Sequence, residues 1–217
     1  MQNLLRIVPV AVVALSLVGC GLSGAAPSSP AVNATTCQYP PAGSPAKAVD
    51  PPPTTNVPTR GTVTATLNMT EGEVTITMDR AAAPCTVNSF ESLAKQGYFN
   101  GTSCHRLVDT GIFVLQCGDP TGTGRGGPGY AFADELTGKE TYGPGVVAMA
   151  NTGNPGTNGS QFFMVYADSP LPPQYTVFGS LDEKSLAIVR DIGAQGIDAA
   201  NAPHPISPAK IDTVVLG

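Results

Sequence analysis

The stretch Gly145–Tyr166, GVVAMANTGNPGTNGSQFFMVY, limits the fold more than any other part of this chain. Two short apolar runs, Val146–Ala150 and Gln161–Tyr166, are rich in Val, Phe and Tyr and read as strands. The ten residues between them, Asn151–Ser160, are almost all turn formers. Ordering so Gly-rich a loop is costly in backbone entropy, so the fold must use it. Its exit delivers Gln161, Phe162 and Phe163 in alternation, which places Gln161 and Phe163 on one face of the strand and Phe162 on the other. A polar donor-acceptor beside an aromatic ring, on a rigid wall, suits an apolar ligand that also carries an amide.

The rest of the chain reads as more short strands. Thr62–Met69 and Glu73–Asp79 alternate around Thr70-Glu71-Gly72 and predict a hairpin. Pro84 opens a helix that runs to about Gln96, with Phe90, Leu93 and Ala94 as its apolar stripe and Gly97 as its end. Strands follow at Ser103–Val108, Ile112–Gln116, Thr176–Gly179 and Ile211–Leu216, and a second helix at Asp182–Ile192. About eight strands and two helices without a βαβ rhythm predict a mainly β domain, an antiparallel barrel or a sandwich. Gly122–Gly127 matches G-x-G-x-x-G in form, but Pro128 and Gly129 forbid the helix that a dinucleotide site requires next.

Charged residues make up 12% of the chain, the net charge is −5 and no basic run exists, which argues against a nucleic-acid partner. Residues 1–19 pair Arg6 with an apolar run too short to span a bilayer comfortably, as in a signal peptide. The run ends at Leu17-Val18-Gly19-Cys20, which resembles a bacterial lipoprotein signal with Cys20 as the acylated residue. Residues 20–59 then read as a tether: positions 21–59 hold nine of the 21 prolines and two charges, Lys47 and Asp50. Cys37-Gln38-Tyr39 is the one place where the tether could be pinned to the domain, which spans 60–217. Cys37, Cys85, Cys104 and Cys117 allow three disulfide connectivities, which sequence alone does not rank.

The second informative stretch is Cys104-His105-Arg106-Leu107 with Phe113-Val114-Leu115-Gln116. On adjacent strands, Arg106 is expected to share a face with Phe113 and Gln116. Together with Ala150, Asn151, Gln161 and Phe163 this makes an apolar pocket with an arginine at its edge.

His105-Arg106, Gln116-Cys117-Gly118-Asp119, Gly143-Pro144-Gly145, Met149-Ala150-Asn151, Thr157–Phe163 and Val177-Phe178-Gly179 occur in an order and spacing that resemble the cyclophilin family of peptidyl-prolyl cis/trans isomerases. The resemblance covers about residues 60–217. It implies a closed eight-stranded antiparallel β-barrel capped by two α-helices, with a binding groove on the outer face. It assigns catalysis to Arg106 and the grip on a substrate proline to Phe113, Phe163 and Leu171. Gln116 and Gln161 become polar partners of the arginine and the substrate backbone, and Ala150 and Asn151 the rim. Tyr175 falls where the family's pocket histidine is usual, and Pro170 where a groove tryptophan is common. The chain has no tryptophan, so cyclosporin binding is expected to be weakened. Cys104 and Cys117 replace a usual aromatic and a usual glycine, changes that disulfide-bonded cysteines of an exported protein would explain, with the connectivity left open.

The implied reaction breaks no bond, so neither nucleophile, metal nor cofactor is required. The implied partners are proline-containing peptides or exported protein clients, with membrane contact only through the N-terminal lipid, and a monomer is expected. The alternative is a proline-peptide binding or chaperone module of the same shape with little catalysis. A hydrolase built on Cys104 or Ser160 with His105 is disfavoured, because Cys104 and His105 are strand neighbours and point to opposite faces.

Overall fold

The computed structural model describes residues 33–217; the signal segment 1–19 and Cys20 lie outside the described residues. Eleven strands and two helices follow one another: β1 Ala34–Thr35, β2 Val57–Pro58, β3 Thr62–Met69, β4 Gly72–Asp79, α1 Pro84–Lys95, β5 Thr102–Ser103, β6 Arg106–Thr110, β7 Ile112–Cys117, β8 Val146–Met149, β9 Phe162–Val165, β10 Val177–Leu181, α2 Glu183–Gln195 and β11 Lys210–Leu216. β1 and β2 pair with each other, and the other nine form one antiparallel sheet in the order β5-β11-β3-β4-β10-β8-β9-β7-β6.

The expected closed eight-stranded barrel becomes a curled nine-stranded sheet. Its two edge strands, β5 and β6, are consecutive in the chain and separated only by Cys104 and His105. The single strand expected over Ser103–Val108 divides there because the chain changes partners. Cys104 N–H still donates to Ala209 beside β11 (2.9 Å), whereas His105 N–H donates to Gln116 on β7 (3.0 Å). The covalent link thus brings the two ends of the sheet together.

Alternation sets the core. Val63, Ala65, Leu67 and Met69 of β3 and Val74, Ile76 and Met78 of β4 are buried along one face. α1 contributes Val87, Phe90, Leu93 and Ala94, and α2 contributes Leu186, Val189 and Ile192. The Phe90 ring lies 4.8 Å from Phe99, 5.4 Å from Phe162 and 5.7 Å from Phe178, centroid to centroid. Pro84 starts α1 as expected, but its free N–H groups are capped from a distance: the Glu135 carboxylate accepts from Cys85 N (2.9 Å) and Thr86 N (2.8 Å). α2 begins on Asp182, whose carboxylate accepts from Ser185 N at 2.7 Å.

Much of the expected tether is held against the domain, well beyond the suspected pin. Cys37 is bonded to Cys85 at the start of α1. Tyr39 is buried, edge-on to Tyr130 and Phe132 at 5.4 and 5.5 Å, and its hydroxyl donates to Cys85 O (2.8 Å). Asp50 exchanges hydrogen bonds with the Gln96 side chain (2.8 and 3.0 Å). A cross-link and a buried ring outweigh the extended, solvated preference of a Pro-rich segment. The second disulfide joins Cys104 to Cys117. With sequence separations of 48 and 13 residues, loop-closure entropy assigns the two bonds about 4 and about 3 kcal/mol.

Candidate active site

The site grows from one cross-strand row. Ala148 of β8 faces Phe163 of β9, Phe163 faces Gln116 of β7, and Gln116 faces Arg106 of β6. Residues directly opposite in antiparallel strands project to the same face. The row therefore runs from apolar to cationic across the outside of the sheet, while Phe162 and Met164 point into the core. On the outer face Phe163 packs with Val114, Tyr142, Ala148 and Val165 in a second, smaller apolar cluster.

A concavity of about 360 Å³ lies over this row, lined by Arg106, Ile112, Val114, Gln116, Ala150, Asn151, Phe163, Leu171 and Tyr175. Seven of the expected site residues thus meet around one cavity. Gln161 lines a neighbouring concavity of about 520 Å³, which shares Gln116, Ala150 and Asn151 with the first. Phe113 does not belong to the cavity. It packs against the main core and meets the Tyr166 ring edge-on at 5.9 Å. Ile112 takes its place, because only residues 112, 114 and 116 of β7 can share a face.

The polar half of the site is a chain of side-chain hydrogen bonds. Arg106 Nη1 donates to Gln116 Oε1 (3.1 Å), and Gln116 Nε2 donates to Gln161 Oε1 (2.8 Å). Gln161 Nε2 in turn donates to the carbonyls of Gly124 (3.0 Å) and Gly126 (2.9 Å) in the Gly-rich loop. Among the described residues no carboxylate ion-pairs with Arg106, so a surface salt bridge does not account for it. Asn151, expected on the rim, spends its side chain internally: Nδ2 donates to Gln174 O (2.9 Å) and Oδ1 accepts from Gly153 N (3.0 Å).

The far wall is aromatic. Tyr175 stands edge-on to Phe163 at 5.5 Å and to Tyr142 at 6.0 Å. The buried Tyr142 hydroxyl donates to Tyr175 O and accepts from Tyr175 N, both at 2.9 Å, and so holds that wall by two bonds to one residue. Nothing in the local sequence pattern marks Tyr142, because its partner lies 33 residues away.

His105 is buried beneath Gly124, and neither ring nitrogen has a hydrogen-bond partner among the described residues. Burial holds its pKa below the ordinary imidazole value, against the opposing pull of the Asp119 charge. The ring is neutral at pH 7 and serves as packing. Asp119 itself is buried. Burial alone would raise its pKa, but hydrogen bonds from the Thr121 hydroxyl, Gly126 N–H and Thr121 N–H outweigh that and lower it. Cys104 is committed to a disulfide, and the buried Ser160 hydroxyl donates to Gly118 O (2.7 Å), so neither nucleophile of the hydrolase alternative faces a base.

A family model described as "Cyclophilin type peptidyl-prolyl cis-trans isomerase/CLD" matches residues 63–215. A "Probable peptidyl-prolyl cis-trans isomerase B" of Mycobacterium leprae is 47% identical over 184 residues, covering 78% of this chain and 62% of that protein. The protein of the same name from Mycobacterium tuberculosis strain H37Rv is 44% identical over 209 residues, covering 88% and 67%. The chain therefore spans about two thirds, or slightly less, of those relatives' length. The crystal structure of a Cryptosporidium parvum cyclophilin-type peptidyl-prolyl cis-trans isomerase superposes with a TM-score of 0.65 at 29% identity, covering 72% of this chain and 98% of that one. A second crystal structure of that protein, in the presence of the dipeptide Ala-Pro, gives 0.64 at 29% identity, covering 71% and 98%. Fold, site and relatives agree: this chain belongs to the cyclophilin-type peptidyl-prolyl cis-trans isomerase family.

Proposed function

We propose that this chain accelerates cis/trans rotation about X–Pro peptide bonds in exported proteins, with Arg106 stabilising the twisted amide. The observation that carries this reading is the cross-strand row that sets the Arg106 guanidinium, held by Gln116, at the edge of the cavity floored by Phe163. Amide resonance imposes a barrier of about 18–20 kcal/mol on the rotation. At the top of that barrier the prolyl nitrogen regains its lone pair. A catalyst must therefore favour the twisted form over both planar ones. The cavity walled by Val114, Phe163, Leu171 and Tyr175 seats the pyrrolidine ring. The guanidinium beside it donates to the nitrogen in a partly dry setting, where such a bond is strengthened. Lowering the barrier by about 7 kcal/mol corresponds to an acceleration on the order of 10⁵-fold.

The Cryptosporidium relative's structure with Ala-Pro supports a proline-containing peptide as the ligand class. The absence of tryptophan from the chain supports weak cyclosporin binding. A panel of X–Pro peptides in a protease-coupled assay tests the function. Catalytic amounts of the protein are expected to speed the slow phase for several X residues, and an unchanged slow phase for every peptide overturns the reading.

The same proposal places the protein outside the cytoplasm, anchored by a lipid on Cys20 and touching the membrane only there. The signal-like residues 1–19 support export, and two disulfides among the described residues suit an oxidising compartment. The full chain, expressed in a bacterial host, is expected to take up labelled palmitate, and Cys20→Ser to take up none. Equal labelling of the two, or no labelling of either, removes the anchor from the proposal.

A further inference from the structure

The segment 40–46 precedes the residues that match the family model, yet it is hydrogen-bonded to the Gly-rich loop that ends the polar chain of the site. Ala131 N–H donates to Pro40 O (3.1 Å), Ala42 N–H to Gly129 O (2.9 Å) and Ala46 N–H to Gly127 O (2.8 Å). Pro45 packs against Gly129, where an added Cβ would lie 3.0–3.2 Å from the proline, and Ala42 lines the larger concavity. The loop carries Gly122, Gly124, Gly126, Gly127 and Gly129, so its own backbone supplies little order. Asp119 holds it from one side through Gly126 N–H (3.0 Å), and the arm holds it from the other.

The loop anchors the far end of the glutamine relay. The Gly124 and Gly126 carbonyls can only accept, so they fix Gln161 with Nε2 toward the loop and Oε1 toward Gln116. Gln116 must then present Nε2 to Gln161 and Oε1 to Arg106. The donor-only guanidinium asks for the same polarity at the other end, so the relay is held between two anchors. If the loop withdraws, Gln161 Nε2 loses both acceptors, the relay is anchored at one end only, and Gln116 no longer fixes the guanidinium. Resting on the isomerase reading above, we propose that residues 40–46 are positioning residues for Arg106: the arm seats the Gly-rich loop, whose carbonyls orient Gln161, Gln116 and thereby the guanidinium.

The test is the full chain carrying Ala42→Pro and Ala46→Pro, which removes both arm N–H donors at positions already preceded by proline. The comparator is Gln96→Ala, which cuts two bonds between Asp50, beyond the arm, and the residue that follows α1, and touches no part of the relay. The Pro variant is expected to lose roughly 10- to 100-fold in kcat with KM little changed, as misplacement of a reacting group does. Its Gln116 and Gln161 side-chain amide and Arg106 Nε–Hε NMR signals should shift, while Gln96→Ala should match the wild type in both readouts. If the Pro variant retains wild-type kcat and unmoved relay signals, or if Gln96→Ala produces the same changes, the proposal is overturned. Ala46→Pro alone serves if the double variant does not fold. The NMR readout does not depend on turnover: an inactive wild type with shifted relay signals in the Pro variant would refute the isomerase reading and leave the arm's role standing.

Discussion

Arg106→Ala is expected to lower kcat/KM for X–Pro isomerisation by on the order of 10²–10³-fold, the loss found when one preorganised donor to a developing charge is removed. The fall should lie in kcat, because the guanidinium contributes once the amide has twisted and contributes little to holding the planar ground state. Folding should survive, since no ion pair among the described residues depends on Arg106 and the side chain is only partly buried. Arg106→Lys keeps the charge but replaces the planar fork with a single flexible ammonium, so its activity should fall nearly as far. The measurement is the protease-coupled rate per folded molecule, with circular dichroism to confirm the fold. An Arg106→Ala variant within about twofold of wild type would leave the binding-module alternative standing.

Adjacent phenylalanines on β9 should fail in opposite ways. Phe162 is fully buried between Phe90 and Phe99, so Phe162→Ala is expected to lower unfolding stability by about 3–5 kcal/mol through lost contacts and a residual cavity. Phe163 points the other way, onto the cavity floor, opposite Gln116 and Ala148. Phe163→Ala should weaken proline-peptide affinity by about 2 kcal/mol or more, roughly 30-fold, as truncation of a buried aromatic anchor does. Urea titration and peptide binding per folded molecule separate the two effects. Equal losses of both properties in both variants would mean that the two faces of the strand are not distinct.

The contrast at β7 shows how legible the site was. Alternation alone puts Ile112, Val114 and Gln116 on one face, three residues that do line the cavity. Phe113 is expected on that face both from the adjacent-strand reading and from the resemblance, yet it lies an odd number of residues from Gln116 and so faces the core. Strict period-2 reading corrects both. No such local rule reaches Tyr142, whose two bonds run to Tyr175, or Glu135, which caps α1 from about 50 residues downstream. The Pro-rich arm misled for a related reason. Its composition describes an extended solvated chain, and what it packs against, Cys85, Tyr130 and Phe132 among others, is distant in sequence.

From the chain alone came properties that repeat over a few residues: most of the longer strands, where each helix begins, and that Gln161 and Phe163 are displayed together. Those follow from backbone geometry and side-chain alternation, which act locally. Tertiary structure alone decided which cysteines pair, that the strand divides at Cys104-His105, and that a glutamine relay joins Arg106 to the loop beneath the arm. Each of these needs two or more segments brought within a few ångströms, and such encounters depend on the register of the whole sheet.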